Sequence, residues 1–253
     1  MSNNELKSFF EQLCDISEKN ILKYFNTAVQ VVSKSDLSPV TIADQSTEEL
    51  LRKEIEKKFP DHSILGEEFG ESGNPNSTYK WILDPIDGTK SFINKVPLFG
   101  TLIALLKDGK PFMGCINNPC SKERMIGEVG KPTTLNGNIV RVKNTGKLQD
   151  SVLLTTCIKD SLAVLGPNFG TLASQVKYAR TWGDCYGHLM VASGRVEIMV
   201  DPIMNLWDIA ALKPCVEGAG GAFFDLTGNS DGLGTQAISC SPELKEKILK
   251  ILK

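Results

Sequence analysis

Trp81-Ile82-Leu83-Asp84-Pro85-Ile86-Asp87-Gly88-Thr89, WILDPIDGT, runs from an apolar strand into a turn bearing two aspartates three residues apart. Three readings of those carboxylates compete. A phosphatase that uses aspartate as the nucleophile needs a second Asp two residues after the first. Here Ile86 follows Asp84 at that spacing and Thr89 follows Asp87, so that reading fails. A metal cradle fits: Pro85 fixes the backbone, Gly88 permits close approach of a ligand, and the Gly88 and Thr89 amides can face an anion. A plain Asp-Pro, Asp-Gly turn remains open on this stretch alone.

Outward from it, apolar residues at Leu6, Phe9, Phe10, Leu13, Ile16, Ile21 and Phe25 predict a helix over 4–26. A second helix is predicted over 46–59, with Ser46 and Glu49 as a capping box and Pro60 as its stop. Residues 63–68 and 80–84 read as strands, and 98–119 as a long hairpin turning at Asp108-Gly109. A strand over 124–129 and a turn at Asn136-Gly137 follow. Beyond Ser151 the pattern gives a strand, a helix over 184–194, a strand over 195–201 and a helix over 206–220. Two strands and a final amphipathic helix over 242–252 complete it. Strands and helices alternate without a regular βαβ beat. The expectation is an α/β layered sandwich in two halves, 1–140 and 141–253, joined near 135–150.

The chain has 253 residues, 41% hydrophobic and 23% charged, which fits an ordinary globular protein with a large core. A net charge of −2 without a basic tract argues against nucleic acid as a partner. No apolar run is long enough for a bilayer, and the N-terminus has no signal-peptide pattern, so a cytoplasmic location without membrane attachment is expected. Seven cysteines without a Cys-x-x-Cys pair read as free thiols, with Cys14, Cys115, Cys157 and Cys215 in apolar surroundings. With only His62 and His188 present, a His-rich metal site is excluded and carboxylates are expected to carry the chemistry.

Other acids stand in suggestive places: Asp44 after VTIA, Glu67 and Glu68 after a strand, and Asp208 after Trp207. Singly, each is explained by a helix end or a solvated surface. Together, GEE (66–68), WILDPIDGTKSF (81–92) and WDIAA (207–211) occur in an order and at separations that resemble the inositol-monophosphatase family of Mg²⁺-dependent phosphatases. SDLSPVTIAD (35–44) and GAGGAFFDLTG (218–228) extend the resemblance over nearly the whole chain.

The resemblance implies an αβαβα sandwich of the type shared with fructose-1,6-bisphosphatase. It implies Glu67, Asp84, the Ile86 carbonyl and Thr89 as ligands of a first Mg²⁺. Asp84, Asp87 and Asp208 would hold a second, and a weaker third would again use Glu67. Asp44 and Thr89 resemble the pair that polarises the attacking water, with Glu68 as a nearby acid, and the Gly88 and Thr89 amides would hold phosphate. It also implies a homodimer.

Residues 180–208 and 90–106 look most like the histidinol-phosphate phosphatase branch of the family. Asp184 follows Gly183 where inositol phosphatases usually carry small residues. Asp201 lies seven before Asp208, and Asn205 completes a DPxMN-WD pattern. Substrate-binding roles follow for Asp87, Asp184, Asp201 and Asn205. The last three offer acceptors suited to an ammonium and an imidazole. Leu206 stands where Pro is common and His188 where an aromatic is common. Inositol monophosphate or another small phosphate ester is the alternative substrate. A bisphosphorylated adenosine is disfavoured for want of a basic cluster, and a non-catalytic metal-binding protein is the alternative from another class. Asp184 could instead cap its helix, His188 reads as a packed or partly exposed histidine, and Trp182 and Trp207 as core or pocket wall. Lys34 and Arg180 are the cations that could approach phosphate.

Overall fold

The computed structural model describes residues 3–25, 27, 31–33 and 39–253. Lys34 and residues 35–38 of the SDLSPVTIAD motif lie outside the described residues.

Helix α1 (Asn3–Phe25) buries Leu6, Phe9, Phe10, Leu13 and Ile21 at helical spacing. A short pair, β1 (Val31–Ser33) and β2 (Pro39–Thr41), leads into α2 (Ile42–Lys58). This helix starts earlier than the predicted residue 46. The cap is Thr41: its hydroxyl accepts the Ala43 amide at 3.1 Å, and the Asp44 carboxylate accepts the Thr41 amide at 2.8 Å. The predicted box at Ser46 and Glu49 does not start the helix. The upstream one forms because β2 delivers Thr41 in extended conformation. Ser46 lies inside the helix, where its hydroxyl accepts from Asn20 at 2.9 Å.

The larger sheet contains β3 (Ser63–Gly66), β4 (Gly70–Gly73), β5 (Tyr79–Asp87), β6 (Gly100–Lys107), β7 (Lys110–Asn118), β8 (Glu123–Glu128), β9 (Thr134–Leu135) and β10 (Asn138–Ile139). Their order is β10-β9-β8-β7-β6-β5-β3-β4, antiparallel except for the parallel pair β3–β5. The β6–β7 hairpin turns at Asp108-Gly109, both with positive φ, as the Asp-Gly signal predicts. Helix α3 (Thr89–Ile93) leaves the end of β5.

The smaller sheet holds β11 (Val152–Thr155), β12 (Tyr178–Arg180), β13 (Ile198–Asp201), β14 (Ala222–Phe224) and β15 (Ala237–Cys240) in the order β12-β11-β13-β15-β14. Its helices are α4 (Ile158–Leu165), α5 (Pro167–Gln175), α6 (Asp184–Ala192), α7 (Leu206–Ile209), α8 (Leu212–Gly218) and α9 (Lys245–Leu252). The predicted single helix over 206–220 is two. Pro214 cannot donate to residue 210, and its ring crowds that carbonyl, so the run breaks.

The layers follow from which faces are apolar. Trp81 and Leu83 of β5 pack with α1 and α2, while Ile82 faces Leu189 of α6 and Cys215 of α8. Leu154 and Met199 of the smaller sheet meet Val191 of α6 on one face. Leu153 and Ile198 meet α5 and α9 on the other. Helix α8 lies so close to the larger sheet that a Cβ on Gly114 would sit 2.2 Å from the Ala211 carbonyl oxygen. The result is the expected αβαβα sandwich, with α6 and α8 as the middle layer. All seven cysteines are free thiols; Cys14, Cys115 and Cys215 are buried, and Cys157 is half-buried rather than enclosed.

Candidate active site

The site grows from the end of β5. Regular pairing with β6 stops at Asp84↔Leu102 and resumes at Asp87↔Gly100 with a shifted register. The Pro85 carbonyl accepts the Thr101 hydroxyl at 2.9 Å, which holds the bulge in place. Gly88 then takes φ +86 and α3 begins at Thr89, whose hydroxyl donates to the Ile86 carbonyl at 3.1 Å. That left-handed residue is what turns the chain after Asp87.

Asp208 arrives from the opposite half in the first turn of α7, its Oδ2 accepting the Asn205 amide at 2.6 Å. Asp84, Asp87 and Asp208 each bring a carboxylate oxygen within 4.8 Å of the other two. Glu67 stands outside that trio but acts on Asp84: β3 runs parallel to β5, and the Glu67 amide donates to the Leu83 carbonyl at 3.1 Å, one residue before Asp84. Asp44 is buried on α2, and both the Thr41 amide and hydroxyl donate to its Oδ2.

The electrostatics are those of crowded acids. Burial pushes Asp84 well above the usual carboxylate range, and Glu67, Asp87 and Asp208 push it further. One of its oxygens, Oδ1, is buried without a hydrogen-bond partner. Asp87 is likewise raised by burial and by Asp184 and Asp208, although the Cys185 amide donates to it and opposes the shift. Burial lifts Asp208 to about 6, against the Asn205 amide and with Glu67 adding to it. Asp44 also rises to about 6, mainly through burial, with its Thr41 hydrogen bonds opposing.

A partnerless buried oxygen within a cluster of hard oxygen donors fits a divalent cation such as Mg²⁺ better than zinc or copper. The added positive charge would relieve the repulsion that now favours the protonated acids.

Asp184 starts α6 with φ +51 and faces the turn: a Cβ on Gly88 would sit 3.1 Å from its Oδ2. It does not cap the helix, since Gly183 is the N-cap and the Asp184 amide donates to Thr156 Oγ1 at 2.7 Å. Burial raises its carboxyl to about 7, helped by Asp201 and Asp208 and opposed by Lys90. Asp201 is buried at the end of β13, with the Thr156 amide 3.3 Å from Oδ1 and His188 Nε2 3.4 Å from Oδ2. His188 is fully buried, with Nδ1 2.6 Å from Ser239 Oγ. Asn205 is exposed at the N-cap of α7.

Arg180 is exposed, with its guanidinium 5.1 Å from the Tyr178 ring centroid. Trp182 is exposed rather than core, and Trp207 is partly buried against the central core. Sequence reasoning missed Glu48, Thr156 and the Cys185 amide. Glu48 alone left a trace, lying one helical turn after Asp44.

The inositol monophosphatase family model matches residues 2–253. The chain belongs to the inositol monophosphatase family. It is 43% identical over 231 residues to a histidinol-phosphatase of Chlorobaculum parvum, covering 88% of each chain. The structure of an inositol monophosphatase from Zymomonas mobilis superposes with a TM-score of 0.88 at 31% identity, covering 100% of this chain and 99% of that one. An IMPase/NADP phosphatase complexed with Mg²⁺ and phosphate shares the fold at 22% identity, with a TM-score of 0.83 and coverage of 98% and 94%. The chain is therefore a phosphatase of this family, which sets aside the non-catalytic reading. No helix among the described residues is long and apolar enough to cross a membrane.

Proposed function

We propose that this phosphatase hydrolyses L-histidinol phosphate to L-histidinol and phosphate, using Mg²⁺. The observation that carries the reading is the 43% identity to a histidinol-phosphatase, together with the acidic pair Asp184 and Asp201 beside the carboxylate cluster. Glu67, Asp84, Asp87, Asp208, the Ile86 carbonyl and the Thr89 hydroxyl would hold two or three ions. When bound, Mg²⁺ supplies Lewis-acid stabilisation of phosphate charge and lowers the pKa of water.

The protein's own groups do the rest. The Gly88 and Thr89 amides, at the start of α3, hold phosphate oxygens. Thr89 and Asp44 orient the attacking water, with Glu68 nearby. Asp44 is buried near the α2 N-terminus, a carboxylate that can accept a proton from the water. The water oxygen bonds to phosphorus as the ester P–O bond breaks. The water proton passes toward Thr89 and Asp44, and the departing alcohol oxygen takes a proton from solvent. No phosphoenzyme forms.

Asp184, Asp201 and Asn205 receive the ammonium and imidazole of the leaving group, and Asp87 borders it. Inositol 1-phosphate is the second reading, favoured by the 31% identity to the Zymomonas enzyme. Phosphate release from histidinol phosphate, inositol 1-phosphate and 3′-phosphoadenosine 5′-phosphate, each with Mg²⁺, tests the choice. Histidinol phosphate should give the highest kcat/KM; a higher value for inositol 1-phosphate overturns the substrate assignment. A homodimer is part of the same proposal, and light scattering at working concentration checks it.

A further inference from the structure

The turn between β3 and β4 carries Glu67 and Glu68, and α2 grips it from behind. Glu48 is fully buried. Its Oε2 accepts the Glu68 amide at 2.8 Å, and its Oε1 accepts the Phe69 amide at 3.2 Å. Oε1 also pairs with Arg52 Nε at 2.7 Å, one helical turn further along. Arg52 then reaches beyond the carboxylate. Nη1 donates to Ser72 Oγ at 2.8 Å and Nη2 to the Gly70 carbonyl at 2.5 Å.

Gly66 makes room for this grip, because a Cβ there would lie 2.0 Å from Glu48 Oε1. The glycine of GEE is thus required by a carboxylate on another element. Glu67 is fixed from both sides: its own amide is tied to the Leu83 carbonyl on β5, and the next amide to Glu48. The same helix carries Asp44 one turn before Glu48, on the same face.

A buried ion pair is weak evidence for stability, since apolar residues of the same volume often serve as well. The acceptors and donors of this pair are instead directed onto the backbone and Ser72 of one turn. We propose that Glu48 and Arg52 are positioning residues for the cation site: they hold Glu67 beside Asp84 and thereby set the affinity for the first ion. This rests on Glu67 being a cation ligand, as proposed above.

Calorimetric titration of Mg²⁺ into the metal-free full chain tests it. Glu48→Gln and Arg52→Met should each raise the Mg²⁺ dissociation constant on the order of tenfold or more, with much of kcat returning as Mg²⁺ is increased. Glu197→Gln is the control. That buried carboxylate of the smaller sheet accepts the Val152 amide at 2.7 Å and pairs with Lys143 at 2.5 Å, remote from the turn. It should lower thermal stability without changing Mg²⁺ affinity. Unchanged affinity in folded Glu48→Gln and Arg52→Met overturns the proposal, and so does an equal loss in Glu197→Gln.

Glu67→Gln separates the two ideas. If it binds Mg²⁺ like the parent, the ligand assignment has failed. If it weakens binding while the Glu48 and Arg52 variants do not, the positioning role alone has failed. Should the buried variants not fold, Ser72→Ala removes one anchor of Arg52. A smaller rise in the dissociation constant is expected there, and no rise overturns the proposal.

Discussion

At the end of β5, Asp84 is buried with one oxygen unpartnered and acids as its nearest charges. At the end of β13, Asp201 is almost as deeply buried but already accepts the Thr156 amide at 3.3 Å, with the His188 ring beside it though its Nε2 makes no hydrogen bond. On the first side of the cleft, among the described residues, the charged groups that act on Asp84 are all acids. The second is organised by the chain itself. On the proposed reading, the β5 side would take an exchangeable cation and a phosphate common to many esters, and the β13 side would meet whatever the phosphate is attached to.

Removing Asp84 should break the first side most severely. Asp84→Asn is expected to lower kcat/KM by about 10³-fold or more and to abolish tight Mg²⁺ binding. Its thermal midpoint without metal at neutral pH should rise, because an acid whose ionisation the fold opposes has gone. Steady-state kinetics and a melting curve check both halves. A variant equally active, or less stable without metal, would contradict the assignment.

The second side should respond differently. Asp184→Asn should raise KM for histidinol phosphate on the order of tenfold through loss of a charge-assisted contact. A phosphate ester lacking an amine should show little change in KM. A matched change for both esters would place Asp184 in the chemistry rather than in selection.

Smaller effects should follow pH. Asp44 and Asp208 rise from 3.8 to about 6 in the fold. Between those values the folded state keeps protons that the unfolded chain has lost. The stability they contribute to the metal-free protein is full below about 3.8 and falls as pH rises through about 6. Melting curves without metal should drop by more than about 5 °C from mildly acidic to neutral pH, and saturating Mg²⁺ should remove most of that slope. A flat metal-free profile would mean that these acids are compensated in a way the site does not display.

The smallest effect concerns how α2 begins. Thr41→Ala should cost about 1 kcal/mol of unfolding free energy and Ser46→Ala less, measured by urea denaturation. The reverse order would restore the later helix start.

Much of this was legible in the sequence, and the exceptions have physical reasons. The strand ending at Asp84, the hairpin at Asp108-Gly109 and α1 announce themselves through periodicity and turn chemistry. The start of α2 was placed too late because Ser46/Glu49 satisfies the capping pattern, while the box that forms pairs Thr41 with Asp44 upstream. Helices α4 and α5 were unread because Gly166, Pro167 and Gly170 interrupt the run, and Ile158 and Leu162 stay exposed. The clustering of Glu67, Asp84, Asp87 and Asp208 spans both halves of the chain, so the family resemblance brought them together where local spacing could not. Glu48 escaped because an acid on an amphipathic helix reads as solvated until the turn that buries it is seen.

Turnover of histidinol phosphate through a cycle of Mg²⁺, chelator and Mg²⁺ again tests the central claim most directly. Phosphate release should proceed, stop and return, with Asp84→Asn silent throughout. Hydrolysis that continues undiminished in chelator, or none at saturating Mg²⁺, would contradict the account.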